Sequence, residues 1–216
     1  MNTIISFGLC PFVQRSLITM NYKNVPYDVK YIDLADKPEW FLKLSPLGKV
    51  PILQVEDVVL FESAVINEYV DEVNGDSLHS RDPLVKAKER AFIELSSSAI
   101  MNYFQAAIAT EREVYEEKKL QLEKNLSSLL AEFKGPFFRG SEFSLVDTSV
   151  IPLIQRIALT GDLAKNLKLS EENSKKLISW SKNTLAMEEV KKSVPENFEN
   201  DYKTYLKEKN SYVFSL

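Results

Sequence analysis

The sequence predicts an α/β domain followed by an all-helical domain. Up to about residue 74 the hydrophobic pattern alternates between strand-like and helix-like periods, whereas after residue 82 every strong signal is helical. The length of 216 residues fits one large domain or two small ones, at about 150 residues per domain. We therefore predict a first domain over residues 1–75, a linker over 75–81 and a second domain over residues 82–216.

The first half is expected to follow the order β-α-β-α-β-β-α. The predicted elements are a strand at 3–7, a helix at 11–22, a strand at 27–31, a short helix opening at 38–41, strands at 52–55 and 58–61, and a helix at 63–73. A helix separates the first two strands, so these must pair in parallel. Only Glu56 and Asp57 separate the last two strands, which predicts an antiparallel hairpin. Asn74 and Gly75 end the last helix.

The second half contains helices with recognisable ends. Asp82 is a candidate N-cap, followed by Pro83 at the first helical position. A second helix stops at Gly135 and Pro136. Ser144 and Asp147 have the spacing of a capping box, with Asp in place of the usual Glu or Gln. Weaker helical patterns cover 174–187 and 197–207.

Composition argues against several classes of function. A net charge of −4 offers no broad basic surface for nucleic acid. One cysteine rules out an internal disulfide, and one histidine argues against a His/Cys metal cluster. No stretch reaches the roughly 20 apolar residues of a membrane span, and the first residues lack the basic start of a signal peptide. We expect a cytoplasmic protein without a metal, nucleic acid or membrane partner.

Cys10 is the first candidate for chemistry. It follows the first strand and precedes Pro11 at the start of the first helix. Backbone N–H groups and the positive end of the helix dipole stabilise a thiolate there, and the pKa of such cysteines can fall from about 8.5 to roughly 3.5–7.5. The alternative is a small buried hydrophobic residue. The strand–Cys–Pro–helix context favours a reactive thiol.

Two further segments of the first half could bind a ligand. Pro51 directly precedes a strand, where an X-Pro bond can be cis, and a cis bond would turn the Val50 N–H and C=O outward to pair with a peptide. Glu62 and Ser63 lead into the third helix, which Ser63 could cap. A hydroxyl at a helix N-terminus can also bind a carboxylate. With the neighbouring carboxylate taking an ammonium group, this pair could hold an amino-acid zwitterion.

Four spaced motifs occur together in one known family. They are Cys10-Pro11-Phe12-Val13-Gln14-Arg15, Lys37-Pro38-Glu39-Trp40-Phe41, Ser45-Pro46-Leu47-Gly48-Lys49-Val50-Pro51 and Phe61-Glu62-Ser63-Ala64. In order and spacing they resemble the N-terminal domain of the cytosolic glutathione transferases, most closely the cysteine-type, omega-like branch. The segment from Phe143 to Asp147 resembles the capping-box motif of the same family, so the resemblance covers essentially the whole chain.

The resemblance implies the glutathione transferase architecture, a thioredoxin-like glutathione-binding domain packed on an all-helical domain, usually as a homodimer. The implied site consists of catalytic Cys10 and, for glutathione, of Phe12, Lys37, Val50, Pro51, Glu62 and Ser63. The Val50 backbone would pair with the cysteinyl unit. Glu62 and Ser63 would hold the γ-glutamyl ammonium and carboxylate, and Lys37 would meet the glycyl carboxylate. Glutathione is then a co-substrate, and no metal is implied.

A cysteine at this position implies thiol exchange. It forms a mixed disulfide with glutathione, and Val13 stands where a dithiol pathway would need a second cysteine. The implied cycle is monothiol: Cys10 attacks a glutathione mixed disulfide, and a second glutathione resolves the adduct. The second substrate could be a small electrophile, a glutathionylated protein or dehydroascorbate.

Other interpretations remain open at this point. Some bacterial RNA-polymerase-associated regulators of the stringent-starvation type resemble transferases without being enzymes, but they generally lack the cysteine. An isomerase of the zeta type would carry Ser-Ser-Cys where this chain has Gly-Leu-Cys10. His79 is interpreted as a solvated linker residue. Tyr103 and Trp180 are interpreted as helical core or, alternatively, as the lining of an electrophile pocket between the domains.

Overall fold

The computed structural model describes residues 2–215, which divide into two compact units. The first unit contains residues up to 78 together with 188–196, and the helical unit contains 79–187 together with the residues from 197 onward. The sequence placed 188–196 in the second domain. The structure assigns that segment to the first unit, because it packs on the first helix.

The first unit is built on a mixed four-stranded sheet. Its elements are β1 (Asn2–Ser6), α1 (Pro11–Tyr22), β2 (Tyr27–Tyr31), α2 (Glu39–Leu44), β3 (Ile52–Val55), β4 (Val58–Phe61) and α3 (Ser63–Val73). The strand order is β2-β1-β3-β4. β1 pairs in parallel with β2, while β3 is antiparallel to both β1 and β4. The predicted parallel pair and hairpin are confirmed, and the unit has the thioredoxin-like α/β fold.

The two faces of this sheet bury different helices. Successive side chains of a strand point to opposite faces, so Ile4 of β1 packs with the apolar residues of α1 and α3. Its neighbour Ile5 packs instead with Ile52 and with Phe41 of α2. All four of these side chains are essentially inaccessible to solvent. The sheet therefore fixes the starts of α1 and α3 on one common side.

Residues 188–196, which belong to the first unit, are joined to α1 by two side-chain hydrogen bonds. This segment contains α9 (Glu188–Lys191). The Gln14 side-chain amide donates to Ser193 Oγ at 3.2 Å, and the Asn21 amide donates to the Glu189 carbonyl at 2.8 Å. A Cβ added at Gly8 would lie 3.3 Å from Pro195 Cγ. The loop that leads to Cys10 is thus in close contact with this segment.

The helical unit contains the remaining helices. They are α4 (Pro83–Ile108), α5 (Arg112–Glu132), α6 (Leu145–Leu159), α7 (Gly161–Asn166), α8 (Glu171–Leu185), α10 (Phe198–Glu208) and a 3₁₀ turn (Tyr212–Ser215). Asp82 Oδ1 accepts from the N–H groups of Leu84 and Val85, which confirms the predicted N-cap of α4. Within residues 2–215, no helix combines the length and the apolar character that crossing a membrane would require.

The predicted capping box of α6 is confirmed and forms the polar centre of the helical unit. Asp147 is fully buried. Its carboxylate accepts from the Ser144 N–H at 2.9 Å, the Phe138 N–H at 2.8 Å and Trp180 Nε1 at 2.8 Å. Burial raises the pKa of Asp147 to about 6, although these hydrogen bonds act in the opposite direction. One carboxylate therefore links the start of α6 to the preceding loop and to α8.

The interpretation of His79 as a solvated residue is wrong. Its side chain is buried, and Nδ1 lies 2.8 Å from Glu89 Oε2 on α4. The same carboxylate accepts from the Ser80 N–H at 3.0 Å and from Arg139 at 3.3 Å. Burial raises the pKa of Glu89, but the hydrogen bonds and the Arg139 charge outweigh it, and the net pKa is lowered. His79 therefore anchors the linker to α4.

Candidate functional site

Cys10 lies where the sequence placed it, at the N-terminus of α1. It is the N-cap residue, with Pro11 at the first helical position and no side-chain capping hydrogen bond. The side chain is partly buried, and Sγ lies 3.9 Å from the carbonyl oxygen of Val50. The backbone N–H donates to Phe7 O at 2.9 Å, and the carbonyl accepts from the Gln14 N–H at 3.1 Å. The sulfur therefore lies at the positive end of α1, next to a backbone carbonyl of the β3 approach.

The loop that carries Val50 is organised by Ser45. Its buried hydroxyl accepts from the Lys49 N–H at 2.9 Å and donates to the Lys49 carbonyl at 3.0 Å. Gly48 has φ +60, a left-handed conformation that glycine adopts without steric cost. The Val50–Pro51 bond is cis, as predicted. This loop brings the Val50 backbone to the Cys10 sulfur across 40 residues of sequence.

Lys37 lies beside the same loop. A Cβ added at Gly48 would be 3.7 Å from Lys37 Nζ. Lys37 precedes α2 and is exposed to solvent, so its ammonium group is accessible to an anion. The structure thus brings Lys37 to the loop of Val50, and its predicted contact with a carboxylate stays a prediction.

Glu62 and Ser63 begin α3, but not in the predicted way. Glu62 is the N-cap residue and has φ 66, a conformation uncommon outside glycine that clusters at functional sites. Ser63 is the first helical residue, so the interpretation of Ser63 as the cap is wrong. Its hydroxyl is buried and accepts a 2.8 Å hydrogen bond from Arg15 Nε. Glu62 itself is exposed.

Arg15 is a polar residue of the site that sequence reasoning missed. It is only 3% exposed, and its guanidinium carbon lies 5.1 Å from the centre of the Phe12 ring, within the range of a cation–π contact. The available signal was an arginine on the otherwise apolar face of α1. Phe12 contacts Arg15 through its ring, and its predicted contact with glutathione stays a prediction.

The alternative of an electrophile pocket lined by Tyr103 and Trp180 is wrong. Each of the two side chains is 1% exposed. The Tyr103 hydroxyl bonds to the Arg156 carbonyl, Thr160 and Tyr202 at 3.0–3.1 Å, and burial raises its pKa well above the ordinary value. Both aromatic residues belong to the packed core of the helical unit.

Similarity to known proteins identifies the family of this chain. Residues 9–73 match the family model "Glutathione S-transferase, N-terminal domain". The chain is also 32% identical over 170 residues to the probable glutathione S-transferase DHAR1, cytosolic, of Oryza sativa subsp. japonica, with 77% of this chain and 76% of that protein covered. This chain belongs to the glutathione S-transferase family.

Two further similarities agree with the predicted branch of the glutathione S-transferases. The chain is 34% identical over 161 residues to the chloroplastic glutathione S-transferase DHAR3 of Arabidopsis thaliana, which covers 74% of this chain and spans 59% of that relative's length. The crystal structure of glutathione transferase Omega 3C from Trametes versicolor superposes with a TM-score of 0.79 at 26% identity, covering 96% of this chain and 91% of that one. The resemblance to the omega-like branch is confirmed.

Proposed function

We propose that this transferase-family chain catalyses glutathione-dependent thiol–disulfide exchange through a mixed disulfide at Cys10. The observation that carries the proposal is the position of the Cys10 sulfur, at the N-terminus of α1 and 3.9 Å from the Val50 carbonyl. The positive end of a helix favours a negative charge by about 0.3–1 kcal/mol. The similarity of this chain to an omega transferase and to DHAR relatives also supports glutathione-dependent thiol–disulfide exchange.

The first step consumes a mixed disulfide of the form R–S–S–G, where S–G is the glutathionyl group. The Cys10 thiolate attacks the glutathionyl sulfur, the Cys10–S–S–G bond forms, and R–S⁻ leaves and takes up a proton. A second glutathione thiolate then attacks the glutathionyl sulfur of this adduct. Oxidised glutathione is released and the Cys10 thiolate is restored. The net reaction reduces R–S–S–G to R–SH while two glutathionyl groups join in one disulfide.

The remaining residues of the predicted site would hold the tripeptide in this cycle. The Val50 backbone lies beside the sulfur and would pair with the cysteinyl unit. At the start of α3, Ser63 would bind the γ-glutamyl carboxylate and Glu62 its ammonium group. Lys37, next to Gly48 at the other side of the loop, would meet the glycyl carboxylate.

The absence of a second cysteine determines how the cycle must be completed. Cys10 is the single cysteine of the sequence, and Val13 occupies the position of a resolving thiol. The mixed disulfide at Cys10 therefore persists until a free glutathione attacks it. This requirement favours a compartment rich in reduced glutathione, so we place the protein in the cytoplasm.

The experiment follows the glutathionyl adduct by intact mass. We expect oxidised glutathione to modify the folded chain once and rapidly, and added glutathione to remove the adduct. A matched control is the same chain unfolded in urea, in which Cys10 has lost both the helix and the Val50 loop. Cystine serves as a second control, because it is a disulfide without the γ-glutamyl and glycyl ends.

The proposal predicts faster reaction in the folded chain than in urea and faster reaction with oxidised glutathione than with cystine. Cys10→Ser should still bind glutathione while losing exchange with a glutathionylated peptide. Equal rates for the folded and unfolded chains would mean that the fold does not activate Cys10, and exchange retained by Cys10→Ser would mean that Cys10 is not the nucleophile. Either result would overturn the proposal.

We also propose that the first unit carries a homodimer surface. β4 is an edge strand of the sheet, and Val58 and Phe61 on it are exposed, as is Val65 on the first turn of α3. Edge strands with exposed apolar side chains tend to pair with another chain. A second copy would cover these side chains, and sedimentation equilibrium should give the mass of two chains.

A further inference from the structure

Arg15 connects α1 to α3 through its side chain. Its Nε donates to Ser63 Oγ at 2.8 Å, across 48 positions of sequence. Its guanidinium also lies against the ring of Phe12, one turn earlier on α1. The N–H groups of a planar guanidinium that lies between a ring and a hydroxyl have a fixed orientation, whereas those of a flexible ammonium group do not.

This contact decides how the Ser63 hydroxyl can act. A guanidinium nitrogen only donates, so Ser63 Oγ is the acceptor in the bond with Arg15. A hydroxyl has one proton and two lone pairs, and the Ser63 proton is left to donate to another group. Among residues 2–215, Ser63 Oγ donates to no acceptor. The hydroxyl is thus oriented as a donor.

The surroundings of Ser63 favour an anion as that acceptor. α3 has 11 residues and begins at Ser63, so the N–H groups of its first turn lie near the hydroxyl without helical partners. The dipole of α3 adds a partial positive charge at the same end. Arg15 adds a permanent positive charge in direct contact with the oxygen. Neutral ligands would gain little from this arrangement.

We propose that Arg15 is a positioning residue that fixes the Ser63 hydroxyl as a donor and so makes this end of the site selective for a ligand with a free α-carboxylate. The inference rests on the proposed function, in which that carboxylate belongs to the γ-glutamyl end of glutathione. Arg15 acts through Ser63. A positive charge alone, without the guanidinium geometry, does not suffice.

A double-mutant cycle tests whether Arg15 acts through Ser63. The dissociation constant for glutathione is measured by calorimetry on the wild type, Arg15→Gln, Ser63→Ala and the double variant. We expect each single change to weaken binding by about 10-fold, the size of one lost charge-assisted hydrogen bond. The double variant should bind about as weakly as Ser63→Ala alone. Losses that multiply would mean that the two residues act independently, and the inference would fall.

A second ligand separates positioning from general damage to the fold. Cysteinylglycine lacks the γ-glutamyl group, so Arg15→Gln should bind it as the wild type does. Equal losses for cysteinylglycine and glutathione would contradict the inference. Arg15→Lys keeps the positive charge but lacks Nε, so we expect it to bind glutathione as weakly as Arg15→Gln does. Wild-type affinity in Arg15→Lys would overturn the claim that the guanidinium geometry is required. If Arg15→Gln does not fold, Arg15→Lys replaces it in the cycle.

The chain offers matched controls for both positions. Ser16 is a buried residue of α1 whose hydroxyl has no hydrogen-bond partner among residues 2–215, and Ser16→Ala should keep wild-type affinity. Arg139→Gln removes a guanidinium from the helical unit and should do the same. If the wild type does not bind glutathione, the proposed function fails. If it binds and the cycle is multiplicative, only the role of Arg15 fails.

Discussion

Replacement of Asp147 should cost the helical unit a large part of its stability. Asp147→Ala removes the acceptor of four buried donors, which are the N–H groups of Ser144 and Phe138, the Ser144 hydroxyl and Nε1 of Trp180. A buried donor left without an acceptor costs about 1–3 kcal/mol, so the sum over four donors is roughly 4–12 kcal/mol. Folded domains are stable by only about 5–15 kcal/mol. We therefore expect Asp147→Ala to be unfolded or close to unfolded at 25 °C.

Asp147→Asn gives a graded version of the same experiment. It keeps one acceptor oxygen and turns the other position into a donor that faces donors, so a loss of about 2–3 kcal/mol is expected. Urea unfolding followed by far-UV circular dichroism measures both variants. Asp162→Ala is the matched control, because Asp162 is paired with Lys165 on the exposed surface, and such pairs contribute about 0–1 kcal/mol. Losses below 1 kcal/mol for both Asp147 variants would refute the reasoning.

The pKa of Asp147 adds a pH dependence with a definite sign. Burial raises the pKa of Asp147 from 3.8 to about 6. The folded state therefore binds a proton at this carboxyl more tightly than the unfolded state does. The resulting gain in stability is complete below the unfolded pKa and is lost as the pH rises through about 6. Asn does not titrate. The stability difference between wild type and Asp147→Asn should therefore fall by about 1 kcal/mol between pH 5 and pH 7, and a pH-independent difference would contradict the assignment.

Three further variants test other parts of the molecule. Lys37→Met should weaken glutathione binding by about 1 kcal/mol, the upper range for an exposed ion pair; unchanged affinity in calorimetry would remove Lys37 from the site. Glu89→Gln should destabilise the helical unit at pH 7, and less so in acid, because a lowered pKa gives stability that disappears as the carboxylate protonates; urea unfolding at the two pH values measures this. Phe61→Glu should convert the dimer to a monomer in sedimentation, and a persistent dimer would place the interface elsewhere.

Most of the fold could be predicted because its elements have local signals. α1 begins at Pro11 and Asn74 follows α3 as its C-cap, and the two helices span the predicted residues 11–22 and 63–73. The short helices α7 and α9 were not predicted. Neither has a cap or an apolar stripe of its own, since a helix of four to six residues is held by its neighbours.

The parts of the site that could not be predicted depend on distant partners. Serine is a residue type that often caps helices, but Glu62, in a left-handed conformation, occupies the N-cap position of α3. The Ser63 hydroxyl instead accepts a hydrogen bond from Arg15 on α1. Arg15 stood in a recognised motif, but nothing local indicated that its side chain reaches α3. The burial of His79 could not be predicted either, because this residue lies in a polar stretch and its partner is the Glu89 carboxylate, ten residues later.

The attachment of residues 188–196 to α1 has a consequence for synthesis of the chain. A ribosome releases the strands and helices of residues 2–73 first, yet the contacts of Gln14 and Asn21 with Ser193 and Glu189 need a stretch that lies 168 to 179 residues further along the chain. Until then the back of α1 stays exposed, and the loop before Cys10 has no neighbour at Pro195. A nascent chain halted before residue 188 would therefore present the thiol-bearing unit without the contacts that join residues 188–196 to α1 and to the loop before Cys10.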